Sequence, residues 1–106
     1  MEARELTAER KLHAIAVDGS EFDICLAIGK PYSISNDEWA CPVWLDGLHN
    51  DLHGPHGVDS WQALQLAYAL IAQLLGYFIQ DGGRLYWLEG GEPVLLQELM
   101  PKMPVC

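Results

Sequence analysis

The sequence predicts an α+β fold: a three- to four-stranded, mainly antiparallel sheet in the order β-β-β-α-β, with one long helix packed across one face. Three observations predict it. Ser60 to Gln80 (SWQALQLAYALIAQLLGYFIQ) lies between Asp59 and Asp81 without one charged side chain, and its apolar residues recur at helical spacing. In the stretch from Glu21 to Ile28, Phe22, Ile24, Leu26 and Ile28 alternate with Glu21, Asp23, Cys25 and Ala27, the period of a half-buried strand. Two further apolar runs, Trp39 to Leu45 and Arg84 to Leu88, are bounded by turn residues and read as strands.

At 106 residues there is room for a single α+β domain over 1–106, with residues 1–9 a loose lead-in and 101–106 a tail. Lys11 to Val17 reads as the first strand. Asp18-Gly19 then signals a hairpin. A two-residue loop sets Ile15 and His13 on the Phe22 face, whereas a three-residue loop sets Ala16, Ala14 and Leu12 there; periodicity leaves both registers open. Tyr32 to Glu38 is a polar connection. In the third strand Trp39, Cys41, Val43 and Leu45 share one face and Ala40, Pro42 and Trp44 the other. Pro42 has no ladder donor, so that strand belongs at an edge.

Asp46 to Asp59 is a Gly- and His-rich loop. Asp59 then caps the helix, with Gln62 three residues on as in a capping box, and Gly82-Gly83 ends it. At about 100° per residue, Leu64, Ala67, Ile71, Leu74, Leu75 and Phe78 form one stripe. Trp61, Tyr68 and Ile79 flank it on one side, and Leu66, Leu70 and Tyr77 on the other. The apolar arc is then roughly 220° wide, about twice a surface helix's minimum. One sheet face covers part of it. The rest calls for a curled sheet, the C-terminal segment or a second copy of the chain. The run approaches the length of a membrane span, but Gln62, Gln65, Gln73 and Gln80 share one side, so no membrane is expected. After the fourth strand, expected parallel to the first and third, Glu89 to Pro93 turns the chain and Val94 to Met100 forms a short helix or strand.

Half the residues are hydrophobic and four are Trp, which excludes a disordered chain. The N-terminus (MEAREL) lacks the apolar core of a signal peptide, and Cys25, Cys41 and Cys106 are odd in number. A cytoplasmic protein with free thiols is expected. The net charge is −9, and from Pro31 to Gly83 there is no Lys or Arg, while Asp37, Glu38, Asp46, Asp51, Asp59 and Asp81 all lie there. Such a surface repels phosphate, so no direct nucleic-acid contact is expected; a basic protein or a cation would be attracted.

Two constellations could carry function. His49, His53 and His56, with Asp51 beside them, offer ligands for zinc or another divalent metal, and Cys41 could add a fourth. The spacing matches no familiar zinc pattern. Trp44 and Tyr86 fall on the sheet face away from the helix, and with Asp46, Asp37 and Glu38 they form a candidate partner-binding set. For nucleophilic catalysis, Cys41 alternates with Trp39 and Val43 and so points inward. G-V-D-S-W around Ser60 is not a nucleophile elbow. No Gly-rich phosphate loop is present.

G-K-P-Y, W-A-C-P, G-V-D-S-W-Q-A-L-Q-L-A and L-Y-W-L-E-G-G resemble stretches of a family of small uncharacterised bacterial proteins, over roughly residues 10–92. The resemblance implies a stand-alone bacterial cytoplasmic domain and carries no activity and no catalytic residue. The wide apolar arc, the spare aromatics and the Lys- and Arg-free middle lead us to expect a non-catalytic protein–protein interaction module, with a homodimer as one form of it, for example an immunity- or antitoxin-like neutraliser of a basic partner. The alternative is a metal-binding or metal-dependent hydrolytic domain built on the histidine loop.

Overall fold

The computed structural model describes residues 4–99. Its frame is a long hairpin of β1 (Leu6–Ile15) and β2 (Glu21–Gly29). β1 starts at Leu6, inside the expected lead-in, because pairing with β2 continues back to Leu6 opposite Gly29. The tail 101–106, Cys106 included, lies outside the described residues.

The turn decides the register. Ala16 N–H donates to Ser20 O at 2.8 Å and Gly19 N–H to Ala16 O at 2.9 Å, leaving three residues in the loop with Gly19 at φ +89°. A glycine in that left-handed position is what a three-residue hairpin loop requires. Ala14 therefore stands opposite Phe22 and Leu12 opposite Ile24, facing the core, while His13 pairs with Asp23 on the outer face.

The remaining strands are β3 (Tyr32–Ser35), β4 (Glu38–Ala40), β5 (Val43–Asp46), β6 (His56–Gly57) and β7 (Arg84–Tyr86). They complete a four-stranded sheet, β5-β2-β1-β7, and form a second, three-stranded one, β3-β4-β6. Two expectations are corrected here. Tyr32 to Glu38 is largely strand and tight turn rather than a plain connection. The run from Trp39 to Leu45 is two strands in two sheets, broken at Cys41-Pro42. The partner changes between these two residues: Cys41 N–H donates to Pro55 O at 3.1 Å in register with β4 and β6, whereas Pro42 O accepts from Gly29 N–H at 2.8 Å in register with β2 and β5. Pro42 has no N–H with which to extend the first pairing. Beyond the break, β5 is an edge strand of the larger sheet, as Pro42 implied.

That hydrogen bond also explains the direction of β7. The loop after β5 carries the chain back beside Cys41, where β6 pairs with β4, so α1 (Ser60–Gln80) starts where β5 starts and climbs towards the β1–β2 turn. β7 leaves from there, with Arg84 opposite Ile15, and runs antiparallel to β1, not parallel. The return journey assigned to the helix is made by the loop.

α1 spans 21 residues with the expected ends. Asp59 accepts from the Gln62 N–H at 2.8 Å, and the Gln62 carboxamide in turn accepts from Val58 N–H at 2.8 Å. At the other end Gly82 N–H reaches Ile79 O and Gly83 N–H reaches Phe78 O. Ala63, Ala67, Ile71 and Leu75 are buried in one line; Leu64, Tyr68, Leu70, Leu74 and Phe78 are half-buried around it. Ala67, Ile71 and Leu75 belong to the expected stripe, Ala63 joins them, and the stripe's Leu64, Leu74 and Phe78 lie beside that line. The sheet-facing residues Leu12, Ala14, Ile24, Leu26, Ile28, Val43, Leu45 and Leu85 complete the core. Phe22 meets Phe78 edge to face, ring centroids 6.0 Å apart.

The expectation of an arc buried over more than half its circumference is not met. A short α2 (Leu96–Leu99) lays Leu96 close to Gly76, but Leu66, Tyr77 and Trp61 stand exposed, Trp61 at 73%.

Candidate functional site

The two aromatics read as partner-binding do share the outer sheet face, yet they lie on opposite edge strands. Trp44 is on β5 and Tyr86 on β7, with β2 and β1 between them, roughly 14 Å apart at three strand spacings. Neither is idle. The Arg4 guanidinium sits 4.5 Å over the Trp44 ring and donates to both Asp46 oxygens, at 2.6 and 3.3 Å. Tyr86 is half-buried between His13 and a bridge to Pro93. Trp44, Asp46 and Tyr86 thus have intrachain partners, and they do not form one patch with Asp37 and Glu38, which lie in and after the β3–β4 turn of the other sheet.

The histidine loop is dispersed as well. His56 sits on β6 and its Nδ1 lies 2.7 Å from Glu38 Oε2. His49 is held by its backbone to Leu45 O at 2.9 Å, and beside it Asp51, at φ +58°, lines a polar cleft with Asp46 and Asn50. His53 is exposed on the loop. Among the described residues no group of three or more His, Cys, Asp or Glu is placed to hold one metal ion. Cys41 is fully buried, its thiol aimed at Gly29 O at 3.5 Å, and burial pushes its pKa up. A thiol kept protonated is neither a ready ligand nor a nucleophile.

Two features escaped the sequence. The first is an exposed apolar group around the three-stranded sheet. Tyr32 and Ile34 on the free edge strand β3 are 52% and 47% exposed, and Val58 and Trp61 flank the start of α1, which packs against β4 and β6. Tyr-Ser-Ile-Ser does alternate with period 2, the one signal that could have found β3.

The second is His13. Its ring is nearly buried, with Nδ1 2.9 Å from Asp23 Oδ1 and Nε2 2.9 Å from Glu21 Oε1. With a carboxylate at each nitrogen both N–H groups donate, which is the protonated imidazolium. The Asp23 and Glu21 hydrogen bonds hold its pKa above the ordinary 6.5, against burial, which pulls it down. A raised folded-state value contributes stability that is complete below the unfolded value and lost as pH rises through the folded one. The denaturation midpoint is therefore expected to fall on the alkaline side of 6.5, and His13→Gln to remove that part of the dependence. A pH series of urea melts on both proteins, showing identical slopes, would refute the assignment.

Charge is sorted between the layers. Every Lys and Arg among the described residues, namely Arg4, Arg10, Lys11, Lys30 and Arg84, lies on or beside the β1, β2 and β7 strands, and Arg10 stacks on Trp87 at 4.5 Å. The helix and the three-stranded sheet carry none.

These features define a small α+β domain with one long capped helix, two antiparallel sheets and, among the described residues, no group of three or more His, Cys, Asp or Glu placed to hold a metal ion. The chain belongs to the family described as Domain of unknown function (DUF6968), which matches residues 8–95. No curated protein and no solved structure matches it.

Proposed function

We propose that this protein is a non-catalytic interaction module whose acidic end takes up a basic protein partner, as an immunity- or antitoxin-like neutraliser does. One observation carries the reading: Tyr32, Ile34, Val58 and Trp61 are exposed around β3, β4, β6 and the first turn of α1, together with Asp37, Glu38 and Asp59, while Lys30 lies at the border, lining a cleft with Tyr32. Large aromatic and aliphatic side chains with mostly acidic neighbours match the anatomy of a protein interface, with an apolar centre and a polar rim. The acids would steer the partner and the apolar group would hold it. β3 also leaves one row of backbone donors and acceptors free for an added strand.

The test is affinity capture from bacterial lysate, followed by reconstitution with the purified partner. The partner is expected to be basic and to bind more weakly as salt rises. Trp61→Ala is expected to weaken binding about tenfold or more, as an aromatic anchor does, while Asp37→Lys should slow association. A captured protein that is acidic, or whose affinity ignores both substitutions, refutes the proposal.

A further inference from the structure

α1 turns an unusual face outward. Its exposed residues include Gln62, Gln65, Leu66, Ala69, Gln73, Tyr77 and Gln80, and not one is charged. A surface helix ordinarily sets charged residues opposite its apolar stripe. Here a chain of net charge −9 leaves a strip about 31 Å long, at 1.5 Å per residue, with no charge at all.

Positions 62, 66, 69, 73, 77 and 80 follow one line along the helix, at the three- and four-residue steps of a helix-packing seam. The line is also self-complementary. A twofold axis at the level of Ile71, with the second helix antiparallel, sets Gln62 against Gln80 of the other copy, Leu66 within one residue of its Tyr77, and Ala69 against its Gln73. Carboxamide meets carboxamide, apolar meets apolar, and the smallest side chain meets a long one. Gln73 donates to the Tyr77 hydroxyl at 2.8 Å on the same helix, which orders two side chains of the line. Antiparallel helix dipoles favour the arrangement.

We propose that this strip is a homodimer interface, α1 against α1 about a twofold axis, and that the occupant of the outward face is a second copy of this chain. The charge pattern supports that occupant over a different protein. Two copies of an acidic molecule repel wherever acids meet, and on this strip the only acids that come near each other are Asp59 of one copy and Asp81 of the other, at its two ends. A basic partner would find nothing here to pair with. The interface is a single helix face, small by the standard of stable dimers, so association is weak and concentration-dependent.

Sedimentation velocity over a concentration series of the full chain tests this independently of the basic-partner reading. Self-association is expected, and it is expected to tighten with salt, because screening removes repulsion between the two bodies. A basic partner shows the opposite salt dependence. A doubly substituted chain, Ala69→Glu with Gln73→Glu, should lose association about tenfold or more through like charges placed face to face. Ala69→Lys with Gln73→Lys should do the same. Mixed in equal amounts, the two variants should associate again, since position 69 of one copy faces position 73 of the other. All four substitutions are at exposed positions compatible with a helix, and circular dichroism confirms folding. A chain that stays monomeric throughout, a mixture that does not associate, or binding of neutral phosphatidylcholine vesicles in place of self-association overturns the proposal. The vesicle arm matters because α1 is also long and apolar enough to cross a membrane.

Discussion

Leu75→Ala is expected to destabilise the protein by about 2–5 kcal/mol, the range for emptying a leucine site in a packed core. Leu75 is fully buried, one of the largest side chains with no solvent contact, on the line Ala63, Ala67, Ile71, Leu75 that faces both sheets. Three features put the cost towards the upper part of that range. Two of its three companions on the line are alanines, which cannot swing over to fill a void. The residues facing the helix, Ile24, Leu45 and Val43, are themselves fully buried and held in paired strands. The helix has no salt bridges of its own among the described residues and so depends on this packing. Leu66→Ala is the contrast. Leu66 is exposed on the outward strip and should change the monomer's stability by less than about half a kilocalorie per mole, as surface substitutions do. Urea unfolding followed by tryptophan fluorescence measures both. Equal costs at 66 and 75 would mean that the helix is rotated from the orientation described.

What could be read from the chain was whatever is encoded locally. Both ends of α1 were legible because capping needs particular residues within a few positions of one another: Asp59 and Gln62 at one end, Gly82 and Gly83 at the other. β2 was legible because Phe22, Ile24, Leu26 and Ile28 alternate without exception. The β1 register stayed open because it hinged on whether Gly19 closes a two- or a three-residue loop, and with it went the His13 clamp, which exists in only one of the two registers. Long-range partners left no trace. Nothing near Trp44 or Asp46 announces that Arg4, forty-two residues before Asp46, occupies both. Alternation did put Trp44 and Tyr86 on the same outer face, but strand order, which sets them on opposite edges, is not a local property. For the histidines, closeness in sequence does not fix closeness of side chains: His56 is drawn into β6 and onto Glu38, while His49 is tied to Leu45.

The second large effect is expected at Gly54, and its origin is the place where the chain changes sheets. A Cβ added there would lie 2.3 Å from Cys41 O, 2.8 Å from Cys41 C and 3.1 Å from the Pro42 Cα, all backbone atoms with no flexible end to move aside. Gly54→Ala must therefore push the returning loop away from Cys41-Pro42. The first contact to suffer is Cys41 N–H to Pro55 O. The next are the pairs Ala40–His56 and Trp39–Gly57, which join β6 to β4 and set the start of α1. Overpacking costs about 1–3 kcal/mol, and losing a hydrogen bond to a buried N–H adds about 1–3, so a loss of about 2–6 kcal/mol is expected. Chemical denaturation gives the magnitude, and amide exchange tells its location. Protection should fall at Cys41, His56 and Gly57 and in the first turn of α1, while the β1–β2 hairpin, which does not use the loop, keeps its own. Gly90→Ala serves as the control: Gly90 has nothing within 4 Å of its missing Cβ, so only its positive φ of +75° penalises the change. If Gly54→Ala costs no more than Gly90→Ala, the loop does not close against Cys41, and the antiparallel course of β7, which follows from that closure, loses its physical cause.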